Sequence, residues 1–233
     1  MRRAAGFFAV QVAFTSLLVG NPAHADATEP ATDAAITTLP IALHVATEHG
    51  APVADDAWIH AALAEANRIY APARIAFDVR TRDTYDSPIT LETRDDRNRL
   101  GAKVSLGLIN WFVTKSLRDV DEPDRMRRGV HWRANDAAGV RRHFVIVSIL
   151  AGPSVLAHEL GHFFGNKHSP VPGNIMSYER TEDPPAFDTE QLARIRRVLR
   201  ACLRSGEIRL KADRRGVAPR AASERLPLGD GDK

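Results

Sequence analysis

His158-Glu159-Leu160-Gly161-His162-Phe163-Phe164-Gly165-Asn166-Lys167-His168 is the stretch on which the reading of this chain turns. Residues four apart on a helix share a face, so His158 and His162 can each aim a ring nitrogen at one point. Zinc takes imidazole nitrogen at ~2.0–2.1 Å, and a reactive zinc site uses three protein ligands and keeps a fourth position open. His168 is the third candidate. On an unbroken helix it would lie ~9 Å beyond His162 along the axis and on another face. The chain must therefore turn back before it. Gly165 sits where that turn is needed, because glycine enters the left-handed region without a Cβ clash. Glu159, rotated ~100° from His158, can flank the metal without binding it and take a proton from a water there. One zinc ion and one carboxylate base are parts suited to hydrolysing a peptide bond.

Upstream of this segment, residues 143–149 carry Phe144, Val145, Ile146 and Val147 and predict a central strand. The motif helix is expected over 153–165. A last helix over 188–204 places Leu192, Ile195, Leu199 and Cys202 on one face, with its arginines mainly on the solvent side. Upstream, 41–45 alternates like a strand. Asp55 or Asp56 then caps a helix with Ile59, Ala62, Ala66 and Ile69 at helical spacing, ended by Pro72, and 74–79 alternates again. Strand, helix, strand predicts a parallel pair with a crossover helix. A charged helix is expected from residue 94 to near Gly107, a buried strand over 108–113, a charged loop over 114–128 and a short edge strand over 130–132. His131 and His143 have no ligand spacing and are read as ordinary strand or surface residues. Trp132 can line a cleft or belong to the core.

Residues 158–168 resemble the extended zinc signature of the metzincin metallopeptidases, and Asn174-Ile175-Met176-Ser177-Tyr178 resembles their Met-turn. The resemblance extends more weakly over 40–203 in the order of elements. It implies an α+β fold, with a twisted, mostly parallel five-stranded sheet above the zinc helix and a smaller lower part holding the Met-turn and the last helix. It also implies that His158, His162 and His168 bind the one catalytic zinc ion, and that Glu159 is the general base. Met176 would form an apolar floor beneath the histidines. Tyr178 would match the tyrosine that astacin-like and serralysin-like members use to bind zinc at rest and to stabilise the oxyanion; packing in the lower part is its structural alternative. The edge strand around 130–133 would pair with an extended peptide, and loops 169–174 and 179–187 would frame the pocket. Ser169 after the third histidine resembles matrixins, whereas Met-Ser-Tyr resembles astacins and serralysins, so no branch is assigned.

Composition limits the alternatives. Hydrophobic residues at 44% and charged residues at 26% are those of a globular protein, which excludes a disordered chain. The lone Cys202 excludes a disulfide scaffold. Arg2 and Arg3, an apolar stretch and Ala23-His24-Ala25 predict a signal peptide over 1–25, and hence an exported, periplasmic or secreted bacterial protein with no membrane span after cleavage. The full chain has 32 Lys and Arg against 29 Asp and Glu; without those residues, which hold two arginines and no acid, 30 basic face 29 acidic. That balance gives no argument for a nucleic-acid partner. The expected layout is a flexible segment over 26–39, the catalytic domain over 40–204 and a disordered tail over 205–233. The expected partner is a protein or peptide substrate; a monomer is expected, with nothing in the sequence that fixes an oligomeric state. Beside the zinc endopeptidase stand two other readings: an exported zinc- or peptide-binding protein without catalysis, and a processing protease of narrow specificity.

Overall fold

Eight consecutive buried positions, Leu39 to Ala46, mark the first strand as one covered on both faces, as a central parallel strand must be. The computed structural model describes residues 35–210, so the expected signal peptide and the tail beyond 210 lie outside the described residues. Strand β1 (Thr37–Glu48) pairs in parallel with β3 (Ile75–Tyr85) on one side and β5 (Ile109–Thr114) on the other. Strand β8 (Arg141–Ser148) is parallel to β5, and β7 (Gly129–Asn135) closes that edge antiparallel to β8. The order is β3-β1-β5-β8-β7, the expected mostly parallel five-stranded sheet, with a sixth strand of two residues, β2 (Ala51–Pro52), folded back on β1.

Strand β1 begins at Thr37, ahead of Pro40, where sequence alone suggested a flexible segment. The Thr37 N–H bonds to the Arg74 carbonyl in β3's direction, so alternation points the proline's nitrogen toward β5, whose pairing starts only at Ile41. No ladder bond is lost there, and the proline is tolerated. The crossover helix α1 (Asp56–Tyr70) starts at Asp55, whose side chain accepts from the Trp58 N–H at 2.8 Å. The charged helix is shorter than expected. Helix α2 (Arg94–Arg99) gives way to a 3-10 turn at Leu100–Lys103, because Gly101 lies directly against the Asn135 carbonyl and the chain must tighten to pass. The supposed loop 114–128 carries β6 (Ser116–Leu117), paired with β4 (Thr90–Leu91).

Helices α1, α3 (Ser154–Phe163) and α4 (Thr189–Ser205) pack beneath the sheet on a core that includes Ile41, Trp111, Leu160, Phe164 and Ile195. A second core on the upper face gathers Tyr85, Leu91, Leu100, Phe112 and Phe144, with Trp132 packed at its margin. Burial of each large apolar side chain stabilises by ~1.5–3 kcal/mol, and both faces of the sheet are thereby covered. Cys202 is buried on α4's apolar face, as the spacing predicts. The chain stays packed past α4. Gly206 ends the helix at φ 74°, Ile208 is buried, and the Arg209 N–H bonds to the Gly107 carbonyl at 2.9 Å.

Candidate active site

Strand β8 delivers the chain to α3, which sets His158 and His162 one turn apart. The helix then stops in a Schellman arrangement: the Gly165 N–H bonds to the His162 carbonyl and the Asn166 N–H to the Gly161 carbonyl, both at 2.9 Å, with Gly165 at φ 84°. That reversal brings His168 back to the helix. The Nε2 atoms of His158 and His168 each lie 3.1 Å from His162 Nε2. His158 Nδ1–H donates to the Ile175 carbonyl and His162 Nδ1–H to the Asn166 carbonyl, each at 2.8 Å. A carbonyl can only accept, so each Nδ1 keeps the proton and each Nε2 presents a bare lone pair. Burial lowers the pKa of all three rings, that of His158 to about 4, which keeps them neutral as metal ligation requires.

Two lone pairs 3.1 Å apart cannot hydrogen-bond to each other, but they suit a shared cation. Imidazole nitrogens on a tetrahedral zinc lie ~3.3 Å apart, given bonds of ~2.0–2.1 Å. The three ligand atoms all fall within 4.8 Å of one another, so this group could hold a metal ion. The donor set is three neutral nitrogens, the fit for zinc among the common divalent ions.

Glu159 is 5% exposed and faces β7. The Ser148 N–H bonds to the Arg128 carbonyl; by antiparallel alternation Val130, Trp132 and Ala134 bond to β8, while Gly129, His131 and Arg133 direct their main-chain groups off the open edge. The His131 N–H reaches the Glu159 carboxylate. Burial pushes that carboxyl up to about 8, with the His131 N–H and Arg127 pulling it back. Gly129 makes room for it: a Cβ there would stand 2.8 Å from Glu159 Oε1 and 2.7 Å from Val155 Cγ1.

The Met-turn residues close the lower side. Met176 is fully buried, its sulfur against Gly161 where no side chain would fit. Asn174 holds the turn to α4: its side chain exchanges hydrogen bonds with Gln191, which also completes the α4 capping box with Asp188. Tyr178 is 68% exposed, with its hydroxyl 2.9 Å from His168 Nε2, so it stands at the triad and not in the lower core.

The cleft has a volume of about 710 Å³. Its wall comes from residues 119–128 and β7; of loop 179–187 only Arg180 lines it, and none of 169–174 does. Loop 169–174 is instead spent on closing the Met-turn, through Ser169 N–H to the Met176 carbonyl and Gly173 N–H to the Glu179 carbonyl. Trp132 lines the cleft and packs on the upper core at once. His131 and His143 are not ordinary strand residues. They are diagonal neighbours across β7 and β8, with His131 Nε2 2.8 Å from His143 Nδ1, and His143 Nε2 2.6 Å from Glu207 Oε1. His143 also stacks on Phe163 at 3.9 Å. The chain beyond α4 is thus tied to the edge strand that borders the site.

No protein-family model matches the chain, and no curated protein matches it. Solved structures do. Mature mirolysin of Tannerella forsythia, determined with a cleaved peptide, matches at 13% identity with a TM-score of 0.51, covering 75% of this chain and 99% of that one. Mirolysin in complex with compound 9 matches at 13% identity and a TM-score of 0.53, over the same shares of the two chains. An archaemetzincin from Methanopyrus kandleri matches at 15% identity and a TM-score of 0.49, covering 70% of this chain and 96% of that one. At these identities the likeness is one of fold. The fold is metzincin-like: α+β, with a mostly parallel central sheet above the helix that carries His158 and His162.

Proposed function

We propose that this chain is an exported zinc endopeptidase, acting on extended peptide segments bound along the open edge of β7. The observation that carries the proposal is the approach of three neutral imidazoles at 3.1 Å, two of them oriented by backbone carbonyls. Mirolysin, whose fold this chain shares, has been seen with a cleaved peptide, and a peptide substrate is the natural occupant of a free strand edge.

His158, His162 and His168 would hold one zinc ion. Bound there, zinc supplies a Lewis acid and lowers the pKa of a water to about 7. Kept ionised by the zinc charge, which would oppose the burial that pushes its pKa up, Glu159 takes the proton from the attacking water on a carboxylate oxygen and passes it to the departing amine nitrogen, so that the base is restored at the end of a turnover. The Tyr178 hydroxyl, at the rim of the triad, donates a hydrogen bond to the oxygen that becomes negative as the carbonyl carbon turns tetrahedral. Met176 acts through packing alone, since its sulfur is buried against Gly161. Export rests on residues 1–25; among the described residues no helix is long and apolar enough to cross a membrane.

The test is the zinc-loaded mature chain incubated with a complex peptide library, with and without a chelator. Internal cleavages that vanish with the chelator and return with zinc support the reading. A protein that binds zinc and peptide but cuts nothing is the binding module without catalysis; cuts confined to one sequence identify a narrow processing enzyme.

A further inference from the structure

We infer that the cleft selects peptides carrying acidic side chains beside the bond to be cut, a refinement that rests on the peptidase reading above. Six arginines line the cleft: Arg97, Arg125, Arg127, Arg128, Arg133 and Arg180. Two are neutralised in place, Arg127 by Asp119 at 2.6 Å and Arg125 by Glu122 at 2.8 Å. The acid Asp121 on the same wall is taken by Arg94. The other four lining arginines form no ion pair among the described residues, although Asp119 and Asp121 act on Arg97 through space. Arg97, 3% exposed, lies 4.8 Å from the Trp132 ring centre, donates to the Arg118 carbonyl and leaves its Nε without a hydrogen bond. Arg128 donates to the Leu150 carbonyl, and Arg180 to the carbonyls of Ser177 and Asn174. Carbonyl partners fix a guanidinium without cancelling its charge. Arg133, exposed on the open edge of β7, makes no side-chain hydrogen bond or ion pair among the described residues.

Three guanidiniums, those of Arg128, Arg133 and Arg180, are therefore uncancelled and Arg97 only partly offset, while the remaining lining acid, Glu159, belongs to the reacting centre. They flank the triad on both sides: Arg128 and Arg133 on the edge strand's side, Arg180 just past Tyr178. A zinc ion adds to the same sign. Such a cleft raises the local concentration of anionic segments and repels cationic ones. An extended peptide along β7 would put its side chains near Arg128 and Arg133 at once, where guanidinium and carboxylate pair in two parallel hydrogen bonds. An oligonucleotide would also feel the charge. The peptide is favoured because the edge still offers the main-chain groups of Gly129 and Arg133 and the His131 carbonyl, and because the one lining tryptophan already packs on the upper core.

The experiment uses three labelled peptides of one length and sequence that differ only in having Glu, Gln or Lys on either side of a central Ala-Ala. Binding is read by fluorescence anisotropy and cleavage by product analysis, on the mature zinc-loaded protein. Binding in the order Glu, Gln, Lys, with at least a tenfold span between the ends that shrinks at about 0.5 M salt, supports the inference. Arg133→Glu should lower the Glu-to-Lys ratio several-fold, a ratio taken within one variant and so independent of its folded fraction. Equal binding of the three peptides, a preference for Lys, or tighter binding of a single-stranded oligonucleotide than of the Glu peptide overturns the inference. Charge-ordered binding without cleavage of any peptide leaves the charge selection standing and overturns the peptidase reading instead.

Discussion

Gly129→Ala separates the packing around Glu159 from the ordinary behaviour of a strand. Gly129 opens β7 and is not among the residues with positive φ, so alanine can adopt its backbone conformation. In a strand with open space, replacing glycine by alanine stabilises by ~0.5–1 kcal/mol. Here the added Cβ would meet Val155 Cγ1 at 2.7 Å and Glu159 Cγ and Oε1 at 2.8 Å. Carbon atoms prefer ~3.5–4.0 Å, so each contact is too close by roughly 0.7 Å or more. Glu159 is buried and cannot swing into solvent. Overpacking of this kind costs ~1–3 kcal/mol, which outweighs the strand gain and leaves a net loss of about 1–2 kcal/mol. The displaced carboxylate should also lose reach of the attacking water; a 1 Å error in such a group costs about 10²-fold in rate. Urea unfolding of the chelated protein reads the first effect and kcat of the zinc-loaded protein the second. Val155→Ala in the same chain removes one of the two collisions and should restore part of both. A Gly129→Ala protein more stable than its parent and equally active would refute the placement of Glu159 against the edge strand.

Three further outcomes follow from the same geometry. Glu159→Gln should keep its zinc, measured by metal analysis, and lose kcat by about 10²–10⁴-fold, the range of a general base; unchanged turnover would remove the proton carrier from the mechanism. Tyr178→Phe should lower kcat by roughly 10²-fold with KM little changed, since an oxyanion donor acts only as charge develops; a change in KM alone would make the tyrosine a substrate contact. Glu207 is held below its ordinary value of 4.5 by the hydrogen bond from His143. Its contribution to stability is therefore full above that value and lost as pH falls through the lower folded pKa. Glu207→Gln should be less stable than the parent near neutral pH and converge with it as pH falls below the ordinary carboxylate range; a gap that stays constant with pH would show that the carboxylate's charge is not what stabilises.

How much of this could be read from residues alone follows the range of the interactions. The ligand spacing is local: one helical turn and one Schellman reversal set His158, His162 and His168, so eleven consecutive residues contain the pattern. Strands β5 and β8 were legible because buried parallel strands are apolar runs, and β1 by its alternation; their order in the sheet was not, since pairing joins residues far apart in sequence. The surroundings of Glu159 were not. They depend on His131 and Gly129, brought there by the antiparallel register of β7, in which Arg133 lies opposite His143 and His131 opposite Val145. The same register, with the docking of Glu207 after α4, creates a histidine pair that no spacing rule announces. A glycine before an edge strand was the only local sign, and glycine has many causes. The Gly161–Met176 contact was likewise invisible, because it joins the helix to a turn through tertiary packing. Pro40 misplaced the start of β1, since the direction in which its missing N–H points is fixed only by the neighbouring strands. In sequence, 114–128 reads as a charged loop and 130–132 as a short edge strand; they become one cleft wall only once folded.

X-ray absorption at the zinc edge of the loaded, full-length protein reads the metal's ligands without passing through activity. One zinc per chain, bound by three imidazole nitrogens at ~2.0–2.1 Å with its remaining coordination filled by light oxygen donors, is the predicted spectrum. A spectrum with fewer than three imidazoles, or with a sulfur neighbour from Met176 or Cys202, would contradict it.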